Sequence, residues 1–115
     1  MPKMKDNEFT PSEYLKMKKY HEAKEAFRAM NMNEYQITYL AYNLLNKKPF
    51  NMDAVKTILD LATEQHPRSS IVYSRWGDYF LKLNDKPSAI KSYQKAVELD
   101  PTDQQTKDTL NSLTR

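Results

Sequence analysis

The chain has 115 residues, a formal net charge of +3, no cysteine and a single glycine. This length suits one domain with its own core. The lack of cysteine excludes disulfides and thiolate metal sites. One glycine is too few for glycine-rich phosphate loops, dinucleotide-binding fingerprints or nucleophile elbows. The nearly balanced charge favours no nucleic-acid partner, because the lysines are typical of a solvated helix face.

The sequence contains no targeting or membrane segment that we can recognise. No apolar stretch approaches the ~18 residues of a membrane span, and the first residues are too polar for a signal peptide. We therefore expect no membrane partner. The compartment stays unknown, with a cytoplasmic location expected if this is the full chain. Residues 1–8 are predicted to be a disordered lead to a single helical domain over residues 9–115.

The first predicted helix begins after Thr10, which forms the pattern of a capping box with Pro11 and Glu13. Apolar residues then recur at three- and four-residue steps. They are Tyr14, Leu15, Met17, Tyr20, Ala23, Phe27 and Met30. Since the segment is too short for two full helices and a turn, it predicts a lead helix over 11–30. This element is either one long helix or a degenerate half of a hairpin.

A helical hairpin is predicted over residues 34–66. Asn33 is followed three residues later by Gln36, which is typical of a helix start. Pro49 disfavours a helical conformation at the preceding residue and so predicts the turn. The apolar faces of the two helices consist of Ile37, Leu40, Ala41 and Leu44, and of Val55, Leu59 and Ala62.

A second hairpin is predicted over residues 70–99. Its helices carry the apolar sets Tyr73, Trp76, Phe80 and Leu83, then Ala89, Tyr93, Ala96 and Leu99. Asn84 suits the left-handed position that ends a helix, and Pro87 suits a first helical turn. The small residue Gly77 lets the two backbones approach. After Pro101, the pair Thr102 and Gln105 predicts a capping box and a short capping helix over 102–113.

These residues carry a resemblance to a known family. Tyr73, Trp76, Gly77, Phe80, Ala89, Tyr93, Ala96 and Pro101 stand at the steps of a tetratricopeptide repeat, which has a period of about 34 residues. Residues 34–66 resemble a further repeat with two extra residues in its turn. The resemblance implies an all-α fold of about six helices, in which antiparallel hairpins stack as a short right-handed superhelix.

The resemblance also implies that the chain binds a peptide or protein partner on its concave face. The first helix of each hairpin lines that face in the family, which places there Tyr35, Thr38, Tyr39, Tyr42, Asn46, Ile71, Ser74, Arg75, Asp78 and Lys82. Tyrosine suits such a face because it is amphipathic and has few rotors. Alternatively, Tyr39 and Tyr42 pack against the lead helix. The Lys and Asn that grip a carboxylate in chaperone-binding members are Thr38 and Tyr42 here, so that ligand is not implied.

No pattern predicts catalysis, a cofactor or a metal site. His21 and His66 lack a partner at catalytic or metal-ligand spacing, so we expect two surface histidines. The carboxylates of Asp53, Asp60 and Glu64 flank Lys56 on one predicted helix and read as surface pairing. We therefore predict that the chain is not an enzyme.

A second resemblance suggests an alternative. The segments 9–14, 39–45 and 72–78 are similar in order and spacing to the helical segment that follows the catalytic domain of some bacterial serine esterases of the α/β-hydrolase type. No serine here has a Gly-x-Ser-x-Gly context, so no esterase residue is implied. The alternative function is a C-terminal accessory domain that packs on an upstream hydrolase domain or mediates a homodimer.

Overall fold

The computed structural model describes residues 9–115. They form seven helices: α1 (Pro11–Lys16), α2 (Tyr20–Arg28), α3 (Glu34–Leu45), α4 (Met52–Gln65), α5 (Ser70–Lys82), α6 (Lys86–Leu99) and α7 (Gln104–Thr114). No strand occurs in this range. Consecutive helices pair as α1 with α2, α3 with α4, and α5 with α6, and α7 packs on α6. The predicted all-α repeat fold is confirmed. The disordered lead predicted for residues 1–8 lies outside the described residues.

The lead segment forms two helices rather than one, so residues 9–115 contain seven helices instead of about six. Lys18 has a left-handed φ of 60°. The Lys19 N–H donates to the Tyr14 carbonyl at 2.9 Å, and the Lys18 N–H donates to the Leu15 carbonyl at 3.1 Å. These two bonds form the Schellman motif that ends α1. The sequence does not indicate the end of α1, because lysine occupies the position at which glycine or asparagine usually ends a helix.

Three of the predicted helix ends are confirmed. The Thr10 and Asn33 capping boxes both form, and each side chain accepts from the amide three residues on. Asn84 has a φ of 58° at the end of α5, where the Asp85 N–H reaches the Phe80 carbonyl at 2.9 Å. Local chemistry alone specifies these ends, since every partner lies within five residues.

The capping box predicted for Thr102 and Gln105 is wrong. The N-cap of α7 is Asp103, whose carboxylate accepts from the Thr106 N–H at 3.2 Å. The Thr102 hydroxyl donates instead to Asp100 Oδ1 at 2.6 Å. Asp is preferred to Thr as an N-cap, and the bond to Asp100 orients the Thr102 side chain toward the preceding residues.

Helix α4 lies at the centre of the core. It packs against α2, α3 and α5, and six of its residues are buried: Ala54, Val55, Ile58, Leu59, Leu61 and Ala62. Phe27 and Ala23 of α2 and Ile37, Ala41 and Leu45 of α3 belong to the same cluster. One continuous core therefore joins the lead helices to both hairpins.

The apolar set predicted for α5 is not the set that the structure buries. The buried residues are Val72, Ser74, Gly77 and Tyr79, whereas Leu83 is 36% exposed. Trp76 and Phe80 are partly buried and pack against the core. The difference arises because α5 contacts α6 as well as α3 and α4. The buried face of α5 is therefore wider than a single row of apolar residues.

The close crossing of α5 and α6 gives a first prediction. Ala89 and Ala96 are 0% and 1% exposed. We expect Ala89→Leu or Ala96→Leu to lower the free energy of unfolding by roughly 1–3 kcal/mol, because the crossing has no room for added methylenes. Chemical denaturation measures the change. Unchanged stability in both variants would show that these alanines do not mark the crossing.

Candidate functional site

Two adjoining clefts run across the ends and faces of α3, α5 and α7. The first has a volume of about 400 Å³ and is lined by Tyr42, Leu45, Asn46, Asp78, Leu81 and Lys82. The second has a volume of about 340 Å³, and its lining includes Tyr42 and Arg75 together with Gln105 and Thr109 of α7. Tyr42 and Asp78 belong to both clefts. We call this continuous surface the groove.

A row of exposed tyrosines on α3 leads into the groove. Tyr35, Tyr39 and Tyr42 are 66%, 65% and 46% exposed. The rings of Tyr39 and Tyr42 stack with their centroids 6.5 Å apart and an interplanar angle of 19°. Leu40 and Leu44 line a separate pocket with residues of α1. The structure therefore contradicts the alternative in which Tyr39 and Tyr42 pack against the lead helices.

Arg75 is held in place at the floor of the groove. Its Nη1 donates to Asp78 Oδ2 at 3.1 Å, and its guanidinium carbon lies 5.2 Å from the centroid of the Tyr42 ring. The Tyr93 hydroxyl of α6 donates to the other oxygen of Asp78 at 2.5 Å. Both oxygens of Asp78 are thus engaged within the chain. Asp78 therefore positions Arg75, and it also lines both clefts, so its direct contact with a partner stays a prediction.

Tyr93 remains a proton donor in this network. Burial, and next the hydrogen bond to Asp78, raise the pKa of the Tyr93 hydroxyl well above its ordinary range. The hydroxyl therefore keeps its proton across the physiological pH range. Because Tyr93 lies on α6 and Asp78 on α5, the same bond fixes the hairpin that presents Arg75.

Two of the predicted groove residues lie inside the protein. Thr38 is 3% exposed, and its hydroxyl donates to the Glu34 carbonyl at 2.6 Å. Ser74 is 8% exposed, and its hydroxyl lies 3.1 Å from that of Thr106 on α7. Thr38 is therefore too buried to face a partner, whereas Ser74 is buried but still lines the second cleft. The predicted residues that remain partly or fully exposed are Tyr35, Tyr39, Tyr42, Asn46, Ile71, Arg75, Asp78 and Lys82.

Helix α7 contributes residues that the sequence analysis missed. Gln105 and Thr109 line the second cleft beside Ile71 and Arg75. The signal was present, since a step of about 34 residues takes Ile71 to Gln105 and Arg75 to Thr109. The prediction of a capping helix alone therefore leaves out its place at the second cleft. The step of about 34 residues places α7 in the register of the first helix of a repeat.

Several titratable residues outside the groove make structural contacts. The predicted Lys56–Asp60 ion pair is confirmed at 2.9 Å, whereas Glu64 pairs with Arg28 on another helix. His66 is half-buried rather than a surface residue, and its Nε2 lies 2.9 Å from the Met32 carbonyl oxygen. Within residues 9–115, no three His, Cys, Asp or Glu side chains group as metal ligands. No helix in that range is long and apolar enough to span a membrane.

Stacked antiparallel helix pairs whose first helices line a groove define a helical-repeat protein. Residues 70–103 match the tetratricopeptide repeat family, and the all-helical fold of the described residues is consistent with this match. The match covers α5, α6 and the turn that follows. No curated protein matches the chain. The resemblance to the helical segment of bacterial serine esterases stays a prediction.

Tetratricopeptide repeats are helical modules that generally mediate protein–protein interaction and are generally not catalytic. Their extended surfaces suit this role, since stacked repeats present side chains from successive helices along one face. The exposed faces of α3, α5 and α7 are therefore the candidate binding surface.

Proposed function

We propose that the chain is a protein-interaction module that binds an extended segment of a partner protein in the groove. The observation that carries the proposal is the exposed tyrosine row of α3 beside the cleft of about 400 Å³. Large exposed apolar surfaces are uncommon on a monomer and mark interaction sites. Tyrosine is also enriched at such sites, because it buries a large ring at little entropic cost.

The groove offers distinct contacts to a partner's side chains and backbone. Leu45 and Leu81 line the first cleft and suit an apolar side chain. The Asn46 amide nitrogen donates to the Tyr42 carbonyl at 2.9 Å, which leaves its oxygen to accept from a backbone N–H of the partner. Tyrosine hydroxyls can supply further donors and acceptors. An extended segment, whose backbone groups are unpaired, needs such partners.

Arg75 is preorganised for binding. Its contacts with Asp78 and Tyr42 restrict its rotamers in the free protein. The guanidinium is therefore already ordered before a partner binds, so less side-chain entropy is lost on binding. Preorganisation of this kind raises affinity. Arginine and tyrosine are the residue types that most often dominate binding energy.

The test is the double variant Tyr39→Ala with Arg75→Ala. We expect it to weaken binding about thirtyfold, since truncating one such residue commonly costs ~2 kcal/mol, while the fold stays nearly intact because Tyr39 is 65% exposed. A partner is first captured with the wild-type chain and identified by mass spectrometry. Titration of that purified partner against wild type and variant then measures the affinity, with melting curves on both.

A control removes one large exposed side chain and one arginine outside the groove. Met30 is 56% exposed, and Arg68 is exposed in the turn between α4 and α5. We expect Met30→Ala with Arg68→Ala to bind like wild type. Equal affinities for the groove variant and the control would exclude the groove as the binding site.

A further inference from the structure

A second surface lies at the edge where the α1–α2 and α3–α4 turns meet. Lys16 and Lys47 line one pocket from the two sides, and Lys18 shares a neighbouring pocket with Phe50. The Tyr20 hydroxyl donates to Asn51 Oδ1 at 3.3 Å and joins the two turns directly. With Lys19 and Lys48, this edge carries five exposed lysines. We call these five residues the lysine edge.

The charges of the lysine edge are only slightly balanced within the described part of the chain, where Lys16 interacts electrostatically with the Glu13 carboxylate. Between residues 9 and 115, none of the five lysines forms an ion pair with a carboxylate. The acidic residues nearby are Glu13, which accepts from the Thr10 N–H, and Asp53 in the first turn of α4. The edge therefore presents a local excess of positive charge, although the whole chain has a net charge of only +3.

The position of Lys19 argues against a purely structural role for these charges. It is the N-cap of α2 and makes no side-chain capping bond. A positive charge at a helix N-terminus opposes the helix dipole, whereas Asp, Asn, Ser or Thr would stabilise that end. Lysine therefore stabilises the N-terminus of α2 less than a common capping residue would.

Two residues of the lysine edge line a largely apolar pocket of about 220 Å³. Its floor and walls include Leu15, Leu40, Leu44 and Ala54, and Lys16 and Lys47 stand at its rim. A recess of this size accepts one aliphatic side chain. Positive charges around an apolar recess match a segment in which acidic residues flank an apolar one.

We propose that the lysine edge and its pocket bind an acidic segment of a partner protein, with one apolar side chain of that segment in the pocket. A nucleic acid fits less well, because its bases stack on aromatic rings and the pocket is lined by aliphatic side chains. A bilayer fits less well too, because it cannot fill a recess between two turns. This surface is separate from the groove, which uses α3, α5 and α7.

The probe is a fluorescein-labelled peptide with a leucine between runs of Glu and Asp, compared with the same peptide carrying glycine for leucine. Fluorescence anisotropy measures the binding of both at about 50 mM and about 300 mM salt, because screening weakens exposed charge pairs. We expect the leucine peptide to bind on the order of tenfold more tightly, since burial of one leucine side chain supplies that difference. Both peptides should bind more weakly at the higher salt concentration.

Matched variants locate the site. Lys16→Gln with Lys47→Gln should weaken binding of the leucine peptide roughly fivefold. Lys91→Gln with Lys95→Gln removes the same charge from exposed positions on α6 and should leave binding unchanged. Ser12→Trp places a large ring at the exposed mouth of the pocket and should abolish the preference for leucine over glycine. Melting curves establish that each variant is folded.

Three results would overturn the proposal. One is an equal loss of affinity in the two double-lysine variants, which would show that binding depends only on the net charge of the chain. Another is the absence of any preference for the leucine peptide. The third is tighter binding of single-stranded DNA, or of vesicles containing phosphatidylserine, than of the leucine peptide, which would assign the lysine edge to a different class of partner.

Discussion

Gly77→Ala is expected to destabilise the chain by roughly 1–3 kcal/mol through overpacking. A Cβ atom at Gly77 would lie 2.5 Å from ring atoms of Tyr93. That ring is 2% exposed, and its hydroxyl is tied to Asp78 at 2.5 Å, so it cannot swing away without losing the bond. The steric cost therefore exceeds the gain of about 1 kcal/mol that alanine normally brings to a helix interior. Chemical denaturation measures the difference.

The same substitution in a Tyr93→Ala background provides the control. Once the ring is gone, Gly77→Ala should become stabilising by up to about 1 kcal/mol, because only the helix propensity remains. The double-mutant cycle thus predicts a reversal of sign and not merely a smaller effect. If Gly77→Ala stabilised the wild-type chain, the close approach of α5 and α6 at this point would be refuted.

The close contact between α5 and α6 was also the most predictable part of the fold. The predicted hairpin over 70–99 coincides with α5 and α6, which together run from Ser70 to Leu99. Its signals are local: Asn84 ends one helix, and Asp85 and Pro87 begin the next. Gly77 faces Tyr93 at the spacing that a helical hairpin requires. Sequence patterns of this kind specify a pair of neighbouring helices well.

Features that depend on competition between similar groups were harder to predict. The residue type at position 18 does not indicate the left-handed conformation of Lys18. The tertiary packing of α1 on α2 selects this conformation over a continuous helix. Asp103 outcompetes Thr102 as a cap, although both suit the position. Thr38 and Ser74 lie between the groove and the core. Their burial depends on the packing of neighbouring helices, which the sequence pattern does not show.

The candidate site was predictable where a single helix presents it. The repeat register identified Tyr35, Tyr39 and Tyr42, which are all exposed on α3. It did not show that Asp78 is fully engaged with Arg75 and Tyr93, because those contacts join two helices through side-chain geometry. It also missed the lysine edge, which exists only because the two turns lie side by side.

Leu59→Ala is expected to produce the largest loss of stability, roughly 2–5 kcal/mol, because it leaves a cavity at a fully buried position. Leu59 is 0% exposed on α4, and α4 contacts α2, α3 and α5. A loss of this size would lower the melting temperature on the order of 10 °C. Circular dichroism at the helix minimum measures the transition.

The shape of the Leu59→Ala transition tests whether the core is a single cooperative unit. In repeat proteins each unit is stabilised by its neighbours, and α4 contacts both α2 of the lead helices and α5 of the second hairpin. We therefore expect one transition, shifted as a whole. Lys56→Ala is the control on the exposed face of the same helix, where it removes only the ion pair with Asp60 and should cost less than about 1 kcal/mol. Two separate transitions in Leu59→Ala, with one at the wild-type temperature, would show that α5, α6 and α7 fold without α4.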